Sequence, residues 1–511
     1  IVVRDETIVF AGSVAESRDF AGAGAARVDL HGAYVVPGFT DSHIHTAQLA
    51  LQHNEIDLSG AGSLENTLAR VRDAIDARAT LTPDLAADWL FGGRWNSLTW
   101  ADTTLPTRWQ LDSVTGPVPV ALHHGDLHTF WLNSAALDRL GISAEDQDPI
   151  GGSYGRDGQG RLTGILGESA AFAAERFFAD QTSAALDATL EATLARLLAH
   201  GVTTIHDIDG EDALRAFSAL RSAGTLPLRV HKLMPVAALD ALIDAGVTSG
   251  SGDAWLRYGA VKIFGDGSLS SHTCLLHEAY TGQPENFGVA VTPADLLNDL
   301  VARCNDNGLA VAVHCIGDGA ATNALTALES SRSSGRPLPA VPNRIEHLQH
   351  VRAHDLARLG GLGVIACMQP ASCTSDIDMV DDLLHGRDLL SYAWRSALEA
   401  GVHVAFSSDA PVESTNPFTG IHAAITRQRP DGTPELGWQP QERLSREQAF
   451  VAYTRAPAVA SAESATKGAL APGFLADFAV LDRDPFAVDT TALLQTRVLQ
   501  TVVGGQSRYT A

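Results

Sequence analysis

The sequence predicts an α/β fold, a (β/α)8 TIM-like barrel with a large insertion after its first strand. Two observations lead to it. Short apolar, β-branched runs alternate with amphipathic helical stretches, the pattern that builds parallel sheets. Eight such runs occur, at residues 34–39, 202–205, 228–233, 258–264, 309–313, 344–346, 362–368 and 402–406. Several are apolar without in/out alternation, as a parallel sheet covered on both faces by crossover helices requires. A doubly wound sheet is the alternative.

Taken in order, the elements are unevenly spaced. Helical patterns such as 295–304, 355–359 and 392–400 follow most of the runs, and from the third run onward the starts lie about 20 to 50 residues apart. Roughly 170 residues separate the first start from the second, far more than one crossover helix needs. Residues 51–190 therefore read as an inserted subdomain covering the barrel mouth, with helices at 64–79 and 186–200 and a turn-rich stretch, Pro149-Ile-Gly-Gly-Ser-Tyr-Gly-Arg-Asp-Gly-Gln-Gly160. Both chain ends read as short strands, 7–10 and 26–30 in front, 477–481 and 501–503 behind. Such strands are unstable alone, so 1–36 and 468–511 are expected to form one small β-domain beside a barrel of 37–50 and 191–467.

Composition narrows the classes of function. The chain has 511 residues, 45% hydrophobic and 19% charged, which argues against a disordered or fibrous chain. No apolar run reaches the 18 or so residues that cross a bilayer, and the first residues lack a basic segment followed by an apolar one, so neither membrane span nor export signal is expected. Acidic residues outnumber basic ones 60 to 36, for a net charge of −24, which disfavours nucleic acid and anionic membrane as partners. The five cysteines form no C-x-x-C pair, the usage of a reducing compartment, and a cytoplasmic location is expected. A second copy of the chain, in a homodimer, is left open. Lysine is scarce: Lys232, Lys262 and Lys467 stand against 33 arginines.

The strongest local signal is Pro37-Gly-Phe-Thr-Asp-Ser-His-Ile-His45, an apolar strand ending in two histidines. Residues i and i+2 of extended chain share a face, so His43 and His45 can converge on one ion, or can be a hydrogen-bonded pair at a strand terminus. Further candidates end other strands: His314 the fifth, His347 the sixth, Asp409 the eighth. Barrel active sites gather at the carboxyl ends of the strands, so these four strands deliver a plausible ligand set to one face. The fourth adds Lys262 inside Tyr258-Gly-Ala-Val-Lys-Ile-Phe264. A buried lysine must be paired, deprotonated or modified, and a neutral amine can take up carbon dioxide to become a carbamate that bridges two cations. The plainer reading pairs it with Asp266.

With these residues in place, the sequence resembles the amidohydrolase superfamily, in its family-3 branch that includes N-substituted formamide deformylases. The resemblance runs through Val36–His45, Gly92-Gly-Arg-Trp95, Leu105-Pro-Thr-Arg108, Asp126-Leu-His-Thr-Phe-Trp-Leu-Asn-Ser134, Val261-Lys-Ile-Phe-Gly-Asp-Gly-Ser268, Arg344-Ile-Glu-His347, Ser407-Ser-Asp-Ala-Pro411 and Leu470–Val480. It implies a metal-bearing barrel with a small β-sandwich made from both chain ends. It also implies His43, His45 and Asp409 on one metal, His314 and His347 on a second, and Lys262 as a carbamate between them. Gly265 departs from the pattern where a side chain is expected, and His350 competes with His347 as ligand.

That ligand set implies zinc, about two ions per chain, or another divalent metal, in a binuclear centre. Such ions lower the pKa of bound water towards about 7 and polarise a carbonyl. Asp409 is then the general base that takes the water's proton and returns it to the leaving amine. His128, Trp95 and Gln369 are candidates for touching substrate, with Trp95 alternatively packing the insertion, and His206-Asp207 reads as a supporting pair. The leading function is metal-dependent hydrolysis of a C–N bond in an amide, N-substituted formamide, carbamate or urea, with a neutral small-molecule substrate bearing an apolar N-substituent. A single-metal deaminase of an aromatic ring is the alternative, and a metal-free barrel scaffold a more distant one.

Overall fold

A computed structural model describes residues 1–79, 89–335 and 337–511. The chain divides into two compact units, one of Ile1–Thr46, Leu190–Ile263 and Ala294–Ala511, the other of Ala47–Thr189 and Phe264–Pro293.

The first unit is built on eight parallel strands: β1 (Phe39–Ile44), β2 (Val202–Asp207), β3 (Arg229–Pro235), β4 (Leu256–Phe264), β5 (Val311–Cys315), β6 (Arg344–His347), β7 (Ile365–Met368) and β8 (His403–Phe406). They neighbour one another in sequence order. Backbone bonds past the strand ends close the ring: Asp409 N–H donates to His43 O, and His45 N–H to Ala410 O, both at 2.9 Å. Every residue of β1, β2, β5, β6 and β7 is buried, which explains apolar runs without alternation.

The first expected strand divides in two. Tyr34–Pro37 pairs antiparallel with Phe478–Leu481, and the barrel strand begins only at Phe39. Gly38 makes the break, with its N–H on Asp477 O at 3.0 Å. A Cβ there would lie 2.2 Å from Thr203 Oγ1, so only glycine lets β1 pass β2 this closely. Phe478–Leu481 continues antiparallel to Val498–Val503, and that strand to Gln506–Thr510, completing a four-stranded sheet. Thr7–Phe10 pairs with Val2–Arg4 and bridges to Leu475. Residues 26–30, expected as a strand, are irregular and mostly exposed, because Asp29 Oδ1 accepts the His31 N–H at 2.8 Å and the chain turns there. Gly363, at φ 67°, ends the Ala353–Leu362 helix and delays β7 to Ile365.

The second unit holds a six-stranded sheet, Ile56–Asp57, Leu90–Trp95, Val120–His124, Thr129–Leu132, Leu162–Glu168 and Gly152–Arg156. Its helix Leu64–Ala79 lies as expected, whereas the expected helix at 186–200 is the end of a longer one, Ser169–Ala199. Trp95, Trp131, Leu111, Val120 and Leu122 make its core. Among the described residues, no helix is long and apolar enough to cross a membrane.

Polar groups also line the inside of the barrel. Arg344 Nη1 on β6 donates to His206 Nδ1 on β2 at 2.9 Å, a bond between non-neighbouring strands that must span the interior. The His206 and His231 rings meet at a tilt of 50°, with centroids 4.7 Å apart. Burial lowers the pKa of both; His231 is brought to about 3, Glu463 opposing and Arg344, Arg257 and Lys467 assisting.

Two outcomes follow. An unfolded histidine titrates near pH 6.5, so below that pH the unfolded chain binds protons that folded His231 refuses until about pH 3. Stability should fall as pH drops through this window, by about 1.4 kcal/mol per pH unit for each such histidine. Urea unfolding of wild type and H231Q checks it: the variant's slope should be shallower. Separately, deleting residues 468–511 removes every partner strand of Tyr34–Pro37 and should give insoluble protein although no candidate ligand is lost. A soluble, active truncation would refute this.

Candidate metal centre

The site is assembled where β1 meets β8. Asp41 holds the β8 exit, its Oδ1 accepting Ser408 N–H at 3.0 Å and its Oδ2 the Ser408 hydroxyl. Burial raises the Asp41 carboxyl to about 6 against these bonds. Asp409 follows at φ 57° and His347 leaves β6 at φ 70°. Neither is glycine, and left-handed backbone of this kind is kept where the surrounding structure over-determines it, commonly at functional sites.

Asp409 Oδ1 lies 3.2 Å from His43 Nε2 and 3.7 Å from His45 Nε2, and its Oδ2 4.0 Å from His347 Nδ1. The His43 and His347 rings are 4.8 Å apart, and those of His347 and His314 are 4.5 Å apart. Burial raises the Asp409 carboxyl, but His43, His347 and His45 together hold it well below the usual range. His347 is brought to about 3, mainly by burial. Lys262 is buried, which lowers its ammonium pKa while Glu346 and Asp409 oppose the shift. Its charge adds to the lowering of His347, whereas Asp209 and Asp409 raise the His45 imidazole against burial and against Lys262.

This donor set fits a divalent ion. His43 Nε2 and Asp409 Oδ1 are buried, and neither has a hydrogen-bond partner among the described residues. Stranding two such groups costs free energy unless something binds both. His43, His45 and Asp409 offer one donor atom each within 4.8 Å of one another, a nitrogen–oxygen set suited to zinc and similar ions. His43, Glu346 and Cys367 also cluster. There, however, Glu346 is spent on Arg344 Nε at 2.7 Å and on His43 Nδ1, and burial pushes the Cys367 thiol up, away from the thiolate a metal needs.

The remaining candidates fall in several places. His350 is fully buried with Nδ1 on Ser391 Oγ at 2.9 Å, whereas His347 stands among the other histidines. His128 gives Nδ1 to Glu168 at 2.7 Å and lies against Phe172 and Phe264, themselves stacked at 4.3 Å. Trp95 is fully buried, donating to Leu122 O at 3.0 Å, so it packs the core of the insertion rather than presenting a face to substrate. Gln369 is also buried, its amide used on His347 Nδ1 at 2.9 Å and Ser407 Oγ at 3.0 Å. His206 bonds Arg344, and Asp207 pairs with Lys232 at 2.8 Å. Sequence reasoning missed Glu346 and Asp209, which contact His43 and His45. The signal for Glu346 was the one used for Lys262, a charge inside a buried strand; for Asp209 it was a carboxylate just past β2.

Histidines and a carboxylate converging at the strand ends of a closed eight-stranded barrel define a barrel hydrolase built around divalent metal. The Amidohydrolase family model matches residues 26–509, and the chain belongs to that family. It is 31% identical to Protein LONG AFTER FAR-RED 3 of Arabidopsis thaliana, covering 100% of this chain and 88% of that protein. It is 28% identical to N-substituted formamide deformylase of Arthrobacter pascens, covering 100% and 94%. A crystal structure of an uncharacterized metal-dependent hydrolase from Pyrococcus horikoshii aligns with a TM-score of 0.76 at 28% identity, covering 96% of this chain and 94% of that one.

The placement of the two competing histidines leads to a direct comparison. H347A should lose bound divalent metal and H350Q should keep it, measured by elemental analysis after desalting. The reverse pattern would transfer the ligand role to His350.

Proposed function

We propose that the chain hydrolyses a C–N bond in an amide, N-substituted formamide, carbamate or urea, with two divalent ions, zinc by preference. The observation that carries this is the pair of buried, unbonded atoms, His43 Nε2 and Asp409 Oδ1, at 3.2 Å. His43, His45 and Asp409 would hold one ion and His314 and His347 the other. Lys262 would serve between them after its neutral amine adds carbon dioxide and loses a proton. Kinship with an N-substituted formamide deformylase over 94% of that protein's length supports the substrate class.

Bound there, the ions would supply an acidified water and polarise the scissile carbonyl. Asp409 takes the proton as the water oxygen bonds to the carbonyl carbon. It delivers the proton to nitrogen as the C–N bond breaks, so the amine leaves neutral. Its anionic form is ready at neutral pH because three imidazoles hold its pKa down. Gln369 keeps His347 oriented through Nδ1 rather than binding substrate. An apolar N-substituent is proposed for the substrate; within the second unit, the Phe172–Phe264 stack beside His128 offers apolar surface of that kind.

K262R should lose nearly all activity, since a guanidinium stays charged and cannot form the carbamate. D409N should keep its fold and lower kcat by about 10² or more. The substrate class is checked by kcat/KM for N-benzylformamide, a carboxylate-bearing amide and an aryl phosphate. N-Benzylformamide should be processed best, and preference for either anion would overturn the apolar reading.

A further inference from the structure

Three histidines of the centre share one arrangement. His43 places Nδ1 on Glu346 Oε2, His45 on Asp209 Oδ1 at 2.8 Å, and His347 on Gln369 Oε1 at 2.9 Å. These oxygens accept, so each neutral ring carries its proton on Nδ1 and its lone pair on Nε2. Each acceptor is itself fixed. Glu346 is gripped by Arg344 Nε at 2.7 Å and Nη2 at 3.1 Å, and Arg344 Nη2 is anchored on Ser42 O at 2.6 Å. The Asp209 backbone is held on both sides, its N–H donating to Asp207 Oδ1 at 3.2 Å and its carbonyl accepting from Lys232 Nζ, with Lys232 on Asp207 at 2.8 Å. Gln369 is held by Ser407 Oγ.

The acceptors differ in charge. Glu346 and Asp209 are carboxylates, whereas Gln369 is a neutral amide. A carboxylate on Nδ1–H shifts electron density into the ring and strengthens Nε2 as a donor; an amide oxygen does so less. We infer that Glu346, Asp209 and Gln369 are positioning residues that set both the tautomer and the donor strength of the site histidines. An ion on His43 and His45 is accordingly held more tightly than one that depends on His347. This rests on the proposed metal-holding role of these histidines.

Zinc competition between the full-length protein and a fluorescent chelator tests it, with thermal melting of each protein with and without zinc. Wild type should release zinc in two classes. D209N and E346Q should weaken the tighter class about 10- to 100-fold, and Q369E should strengthen the weaker one by a similar factor. A positioning role lowers the zinc-induced gain in Tm, whereas a purely structural role lowers Tm equally with and without zinc. Glu346 also neutralises Arg344, so D209N and Q369E decide the matter if E346Q is recovered unfolded. Wild-type zinc affinity in these variants, or a single release class in wild type, overturns the inference alone. A wild-type protein that takes up no zinc overturns the proposed function and the inference together.

Discussion

The junction of the first and last barrel strands is the constraint on which the site depends. Two backbone bonds, Asp409 N–H to His43 O and His45 N–H to Ala410 O, join segments more than 360 residues apart in the chain. Three of those four residues, His43, His45 and Asp409, are also candidate ligands, so closing the barrel and bringing Asp409 to His43 and His45 are one event. Asp41 doubles the link by taking both the N–H and the hydroxyl of Ser408. The left-handed backbone at Asp409 is retained because its own N–H and the neighbouring residue are both committed across this seam.

Around the seam, buried charges occur in compensated sets. Arg344 faces Glu346, Lys232 faces Asp207, and Lys467 faces Glu463 at 2.9 Å. Burying an ion without a partner costs several kcal/mol, and here the partners also perform a second task. Glu346 reaches on to His43, and Lys232 secures the Asp209 backbone behind His45. The same groups that make charge tolerable inside the barrel therefore fix the orientation of the imidazoles. The carboxylate of Asp409 is the exception in kind: it is held by imidazoles alone among its named partners, and its Oδ1 is left for a ligand.

Much of this was legible because strand ends are legible. The histidines at 43, 45, 314 and 347 and the carboxylate at 409 each close an apolar run, and a parallel barrel sends such residues to one rim. Where a run held two strands, the pattern misled: 34–39 reads as one apolar strand, and the division at Gly38 depends on Thr203, distant in sequence. The sheet of the insertion was illegible because its turns fall among helical patterns. Trp95 and Gln369 show a further limit. An aromatic or amide residue near a motif has the same composition whether it faces a ligand or a neighbour, and only Leu122 O and His347 Nδ1 distinguish the two.

The lysines carry that lesson furthest. Only three lysines stand beside 33 arginines, Lys262 among them. All three lysines are in fact buried, and Lys232 and Lys467 sit in ordinary ion pairs, so scarcity alone does not mark a lysine as reactive. What separates Lys262 is its company. The carboxylates acting on it are Glu346, already bound to Arg344 and His43, and Asp409, already surrounded by histidines. An ammonium here competes for oxygens with other claims on them, while burial favours the neutral amine. Loss of that charge, followed by conversion to an anionic ligand, would turn a cation crowding the histidines into a group that helps to hold cations. The chemical case for Lys262 thus lies in its neighbours, not in its rarity.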